Sequence, residues 1–276
     1  MRRMIDLDCG GERLAGTLDD ANGTTGLLIV SGGNEIRSGA YAGQAAMARH
    51  FAALGYPVFR YDRRGVGESE GVNRGFESTA DDIAAAAMAF RTQAPHIRQL
   101  VAFGNCDAAT ALALFHANIA VDALILANPW TIETLNSDDI PATPNTAAIR
   151  SRYWARIKNP RSLLDLLTGR IDLRKLANGL AKASAKAQPS GLAERLAQAL
   201  TQTSVAADIL IAARDTTALA FMAEWKGSAF DSVRTAANVR LTSVDTASHS
   251  FADAASGQWL LSRIENCLKR ADGASN

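Results

Sequence analysis

Cys106 lies in Leu100-Val101-Ala102-Phe103-Gly104-Asn105-Cys106-Asp107-Ala108-Ala109, where an apolar run meets Gly-x-Cys-x-Ala and an alanine-rich segment follows at once. A thiol in that place would stand on a sharp strand-to-helix turn. Such a turn needs small residues two before and two after the nucleophile, and Gly104 and Ala108 meet that steric need. A cysteine at a helix N-terminus faces the positive end of the helix dipole, which favours the thiolate. The competing reading is a small, inert, buried thiol.

Three further segments bear on that choice. Leu28-Ile29-Val30-Ser31-Gly32-Gly33-Asn34-Glu35 ends a strand-like run in a glycine pair. Glycine permits the turn that aims a backbone N–H at a developing oxyanion, although an ordinary strand-to-helix turn reads the same way. Arg60-Tyr61-Asp62-Arg63-Arg64-Gly65-Val66-Gly67-Glu68-Ser69 is a second glycine-bearing turn. A phosphate loop competes there, but the G-K-[ST] ending is missing and no helix starts directly after it. The third is a pair, Asp215 after the run Ile209–Ala212 and His249 after the last strand-like run. Nucleophile, acid and histidine then follow one another in the chain, each just past a strand, so that residues far apart converge on one rim. Asp245 and Asp231 are rival acids, the first at a strand end, the second in a helix or loop before it.

Other chemistries have less support. Cys9, Cys106 and Cys267 are odd in number and widely spaced, with no CxxC pair. His50, His96, His116 and His249 show no HExxH spacing, so no metal and no cofactor are expected. The 29 basic and 28 acidic residues leave a formal net charge of +1, which argues against a nucleic-acid binder. No run of about 18 apolar residues exists, so no transmembrane span is expected. The start, Met1-Arg2-Arg3-Met4-Ile5-Asp6, lacks the apolar region of a signal peptide, and a cytoplasmic, reduced protein is expected.

The elements that would hold these residues alternate. Glu12–Leu18, Thr25–Val30, Val58–Tyr61, Leu100–Gly104 and Ala123–Ala127 read as strands. Tyr41–Leu54, Ser78–Arg91 and Cys106–Asn118 read as helices between them. This predicts a mostly parallel sheet with helices on both faces. Asn128-Pro129 then breaks the pattern, and a stretch of helical period runs from about Asn145 to Lys186. Alternation resumes with a helix near Gly191–Thr203, strands at Asp208–Ala212 and Val239–Val244, and a helix near Ala254–Lys269. The reading is an α/β core in two parts, 1–128 and 190–276, with a helical insertion at 129–189.

Taken together, these motifs resemble the α/β-hydrolase superfamily over nearly the whole chain. The "VSGGNEIRSGAY" loop, the "YDRRGVGES" turn and the "GNCDAA" elbow are, more narrowly, similar to the exosortase A system-associated hydrolase 1 family, whose members tend to be encoded beside exopolysaccharide genes. The resemblance implies an α/β-hydrolase fold with a helical cap, a G-x-S-x-G elbow in which Cys106 replaces serine, and a scaffolding role for the "YDRRGVGES" turn. Dienelactone hydrolases and polyhydroxyalkanoate synthases share such a Cys-His-Asp set. The expected chemistry is acyl transfer through a Cys106 thioester. His249 handles the proton, Asp215 orients His249, and the backbone N–H of Asp107 with that of Gly33 or Asn34 holds the oxyanion. Attack by water gives an esterase or thioesterase; attack by a sugar or alcohol hydroxyl gives an acyltransferase. Amides are expected to be poor substrates, because thiolate leaves the tetrahedral intermediate more readily than amine. The alternative from another class is a non-catalytic, hydrolase-like binding module whose Cys106 is a relic.

The stretch from Asn145 to Lys186 holds ten basic residues, Arg150, Arg152 and Arg156 among them, against Asp165 and Asp172. Charge runs are usually solvated faces. In an α/β-hydrolase the insertion lies above the nucleophile, and there this charge predicts an electropositive entrance. The acyl donor or acceptor would be anionic: a coenzyme A thioester, an acyl carrier protein or an acidic glycan. Attraction of this kind is screened over about 8 Å at physiological ionic strength and acts mainly on association. Raising salt is therefore expected to raise KM severalfold for the true substrate and leave kcat unchanged. Reversal of Arg150, Arg152 and Arg156 to Glu should do the same at low salt. Steady-state kinetics across a salt series checks both, and an unmoved KM would leave the basic stretch a solvated face.

Overall fold

The computed structural model describes residues 1–132 and 191–273, and the structural statements below concern those residues. The basic stretch, with Arg150, Arg152 and Arg156, and most of the expected insertion lie outside the described residues. Strands and helices are numbered in chain order among the described residues.

The chain begins with a hairpin that the sequence analysis reads only from its second strand. In β1 (Arg2–Cys9), Ile5, Leu7 and Cys9 are buried and Met4, Asp6 and Asp8 exposed, the two-residue period of a strand with one covered face. Gly10 and Gly11, at φ 65° and 88°, make the turn into β2 (Glu12–Asp19). Four strands then alternate with three helices: β3 (Thr25–Val30), α1 (Gly43–Ala53), β4 (Val58–Tyr61), α2 (Ala80–Gln93), β5 (Gln99–Asn105), α3 (Asp107–Phe115) and β6 (Ala123–Ala127). After residue 190 come α4 (Gly191–Gln202), β7 (Ala206–Ala212), α5 (Thr216–Trp225), α6 (Asp231–Thr235), β8 (Val239–Val244) and α7 (Ala254–Gly273). α5 carries little helical period and is not expected from the sequence, and α6 is anticipated only as the helix or loop that holds Asp231.

The eight strands form one sheet in the order β1-β2-β4-β3-β5-β6-β7-β8. β1, β2 and β4 pair antiparallel, and every pairing from β4 through β8 is parallel. This is the α/β-hydrolase fold. Each central strand is apolar on both sides because both faces are covered. In β3, Leu28 and Val30 point to a core shared with α2, α3, α4 and α5, whereas Leu27 and Ile29 point to a second core under α1 and α7. α4 buries Leu192, Ala193, Leu196, Ala197 and Leu200, one stripe at helical spacing. No helix among the described residues is long and apolar enough to cross a membrane.

The strand order explains where the site must be. From β3 the chain steps outward to β4, then returns across β3 to β5. The turns that leave the C-terminal ends of β3 and β5 diverge at this reversal, and a crevice opens between them. Cys106 follows β5 at φ 64°, ψ −129°, a conformation that side chains rarely adopt. The turn is tight enough that a Cβ on Gly104 would lie 2.8 Å from the Ala108 carbonyl carbon. Gly104→Ala therefore forces β5 and α3 apart. The expected cost is about 1–3 kcal/mol of stability, read from chemical denaturation, together with loss of any Cys106-dependent activity.

Candidate active site

Each expected site residue within the described chain lies at the C-terminal rim of the sheet. Cys106 is partly exposed, while Cys9 and Cys267 are buried. Burial pushes the Cys9 thiol up to about 11 and the Cys267 thiol up to about 12, so neither is a nucleophile at neutral pH. The backbone of Cys106 is held on both sides. Its N–H donates to Ala127 O at 2.9 Å, and its carbonyl accepts from Ala109 N at 3.1 Å and Trp130 N at 3.2 Å. Those bonds fix the strained φ of the turn.

Asp215 is buried at the start of α5, where it serves as the N-cap. Its Oδ2 accepts from Ala218 N at 3.0 Å and lies 3.0 Å from His249 Nδ1. Burial pushes the Asp215 carboxyl up, but the bonds from His249 and from the Ala218 N–H outweigh it and hold the group below its ordinary value. The rival acids face elsewhere. Asp245 pairs with Arg214 in solvent at 2.7 Å, and Asp231 pairs with Arg234 one turn along. The loops that carry Asp215 and His249 are joined to each other, since Arg214 N donates to Thr246 O at 2.9 Å.

His249 is bonded to Asp215 through Nδ1, which leaves Nε2 for the other partner. Hydrogen bonds to Asp215 first and Cys106 second raise its pKa to about 10, against the opposing effect of burial. The imidazole is therefore charged through the neutral range. Because the folded pKa exceeds the ordinary 6.5, the ion pair's contribution to stability is complete below about 6.5 and is lost as the pH rises through about 10. The histidine loop has its own frame. Thr246 Oγ1 donates to Asp253 Oδ2 at 2.7 Å, and Ser248 N donates to Thr246 Oγ1 at 3.1 Å.

The loop after β3 meets the elbow directly. A Cβ on Gly32 would lie 2.4 Å from Asn105 O, so glycine is required for this approach. The Gly33 N–H donates to Asp107 Oδ1 at 2.6 Å, and Arg63 bridges Asp107 Oδ2 and Gly33 O. Sequence reasoning anticipates the glycines but not this carboxylate contact, which depends on two turns meeting in space. The "YDRRGVGES" turn spends its charges within the fold. Buried Asp62 receives Arg37, and Arg64 pairs with Asp82.

A cavity of about 290 Å³ borders the site on the side of α1 and α7. Asn105 and Ser250, the neighbours of Cys106 and His249, lie on its wall. Met47, Phe103, Phe251, Leu260 and Leu261 make it largely apolar, with Glu35 and Gln44 as polar groups. No cluster of three or more His, Cys, Asp or Glu among the described residues is placed to hold a metal ion.

The chain is similar in structure to the esterase Pf2001 of Pyrococcus furiosus, with a TM-score of 0.67 at 15% identity over 98% of this chain and 91% of that one. It is also similar to the proline iminopeptidase of Mycobacterium smegmatis, with a TM-score of 0.61 at 16% identity over 99% and 100% of the two chains. Est1E of Butyrivibrio proteoclasticus, solved with ferulic acid, gives 0.60 at 12% identity over 97% and 98%. At such identities the likeness is one of fold. No curated protein matches the sequence. Residues 24–207, more than half of the chain, match the sequence profile described as "Serine aminopeptidase, S33". By that match the chain belongs to the serine aminopeptidase S33 family of α/β-hydrolases.

Proposed function

We propose that the protein is a hydrolase of esters or thioesters that works through a covalent thioester on Cys106. The observation that carries this reading is the position of His249, bonded through Nδ1 to Asp215 at 3.0 Å and close enough to Cys106 for the thiol to help raise its pKa. The family match supports hydrolysis, and the cysteine in the serine slot supports a thioester over an oxygen ester.

The reaction runs in two halves. His249 holds the proton taken from Cys106 Sγ, and the sulfur attacks the acyl carbon to form the C–S bond. The tetrahedral oxyanion takes the N–H of Asp107, the first residue of α3, which has no acceptor within the helix. The second donor is the N–H of Gly33 or Asn34. Gly33 becomes available when the Asp107 carboxylate gives up its present bond. The bond to the alkoxide or thiolate leaving group then breaks, and His249 protonates that group. In the second half His249 takes a proton from water as the water attacks the thioester. The C–S bond breaks, the carboxylic acid departs and the cysteine is restored. Asp215 keeps Nδ1 protonated and the ring aimed throughout. The apolar cavity beside Asn105 suits the acyl chain.

Resemblance of the loop sequences to the exosortase-associated family favours a second outcome of the same intermediate. A glycan or alcohol hydroxyl would replace water in the second half, giving an acyltransferase. The basic stretch that includes Arg150, Arg152 and Arg156 would favour an anionic donor, such as a coenzyme A or carrier-protein thioester, in either case.

Cys106→Ala is expected to lower kcat on acyl esters by at least about 10³-fold while leaving the unfolding transition in place. His249→Ala should cost nearly as much, and Asp215→Asn less. Wild-type turnover in the cysteine variant would remove the nucleophile from the account. The pH profile tests the histidine separately. With alkyl ester substrates, kcat/KM should hold to about pH 10 and then fall as the imidazolium loses its proton. In Asp215→Asn that falling limb should move down toward 6.5. A limb already near 6.5 in the wild type would contradict the ion pair.

A further inference from the structure

Asn128 is a buried side chain that the triad does not use. It follows the last residue of β6 and has left-handed backbone at φ 42°, a region that asparagine tolerates better than most residues. Its Oδ1 accepts from Ala212 N at 2.8 Å. Its Nδ2 donates to Asn105 Oδ1 at 3.1 Å and to His249 O at 3.1 Å. Asn105 Nδ2 donates to the same His249 carbonyl, also at 3.1 Å. The orientation of the Asn128 amide follows from these partners, because the opposite orientation would leave the Ala212 N–H facing an NH2 group.

Each partner belongs to a segment that carries one member of the triad. Asn105 precedes Cys106, Ala212 ends the strand that leads to Asp215, and the third partner is His249 itself. These segments are far apart in sequence, and backbone pairing between strands stops at the rim where the triad stands. A buried amide is costly unless satisfied, and here both side-chain hydrogens and the oxygen are used. An apolar side chain could fill the space but could not fix the three loop ends against one another.

We propose that Asn128, with Asn105, is a positioning residue for the reaction: its amide holds the His249 backbone at the distance from the elbow and the Asp215 strand that the ring needs. The proposal rests on the Cys106 reading for its kinetic consequence, but its structural consequence stands apart. A displacement of reacting groups by about 1 Å can cost roughly 10²-fold in rate. Loss of the amide should therefore lower kcat and leave KM nearly unchanged.

The test uses the full chain with Asn128→Gly, which keeps the backbone conformation and adds no charge, and with Asn105→Ala, a half-buried position. Kinetics on acyl esters should show kcat reduced by about 10²-fold in Asn128→Gly and by a smaller factor in Asn105→Ala, with KM within about twofold. The second readout is the pKa of His249 by NMR in the Cys106→Ala background, where no turnover is needed. There each asparagine variant should titrate lower than its asparagine-bearing parent, because the ring no longer meets Asp215 squarely. Unchanged kcat and unchanged His249 titration in folded variants would overturn the proposal. If Asn128→Gly does not unfold cooperatively, Asn105→Ala decides alone, and an unaltered His249 pKa there counts against it. Failure of the Cys106 reading would look different, since activity would survive Cys106→Ala while the His249 titration still responded to the asparagines.

Discussion

The site depends on one sharp turn. Cys106 occupies backbone angles that the sequence could not hold in isolation, and such strain persists only where the surroundings over-determine it. Here the constraints are a strand on one side, a helix that starts at the next residue, and bonds from Ala127, Ala109 and Trp130 to the cysteine backbone. Gly104 and Ala108 are small because the helix crosses directly over the strand end. The same turn puts the thiol at the rim and leaves the first N–H of α3 aimed away from its helix. Substrate attack and oxyanion binding are thus proposed consequences of one local geometry.

Around that turn the fold separates one partly exposed cysteine from two buried ones. Cys9 and Cys267 lie in the two cores, where burial raises their thiols far above the neutral range. Cys106 is partly exposed and stands beside the His249 imidazole, whose pKa it helps Asp215 to raise. Asp215 is able to sustain that charge because it is buried and yet held ionised, by the imidazole itself and by the N-terminus of α5. Asp215 is therefore set apart from Asp245 and Asp231 less by its place after a strand than by being the cap of the helix that follows.

Much of this was readable in the sequence, for physical reasons that can be named. Apolar runs such as Thr25–Val30 and Ala123–Ala127 sit between helices on both faces, and such runs announce buried parallel strands. The small residues on either side of Cys106 and the placing of Cys106, Asp215 and His249 just past strand ends follow from local residue types. What escaped depends on contacts between distant turns. The bonds from Asn128 and Asn105 to His249 and the carboxylate of Asp107 on Gly33 involve partners up to 144 residues apart, with no local signal in composition or period. β1 is a different case. Its alternation of Ile5, Leu7 and Cys9 with Met4, Asp6 and Asp8 was visible, but an edge hairpin before the α/β pattern carries no chemistry to draw attention to it. α5 is short and nearly uniformly apolar, so its helical period is weak, and its asparagine-like cap signal, Asp215 before Thr216, is read more readily as an acid of the site.

The central claim is that the acyl group passes through the sulfur of Cys106. The most direct test is intact-mass analysis of the protein after brief exposure to a panel of activated acyl esters, followed by peptide mapping. The account predicts a mass gain equal to the acyl group less one hydrogen, confined to the Cys106 peptide, released by hydroxylamine, and absent from Cys106→Ala. An adduct on another residue, or ester turnover with no acyl-protein formed at the earliest times and undiminished in Cys106→Ala, would contradict it.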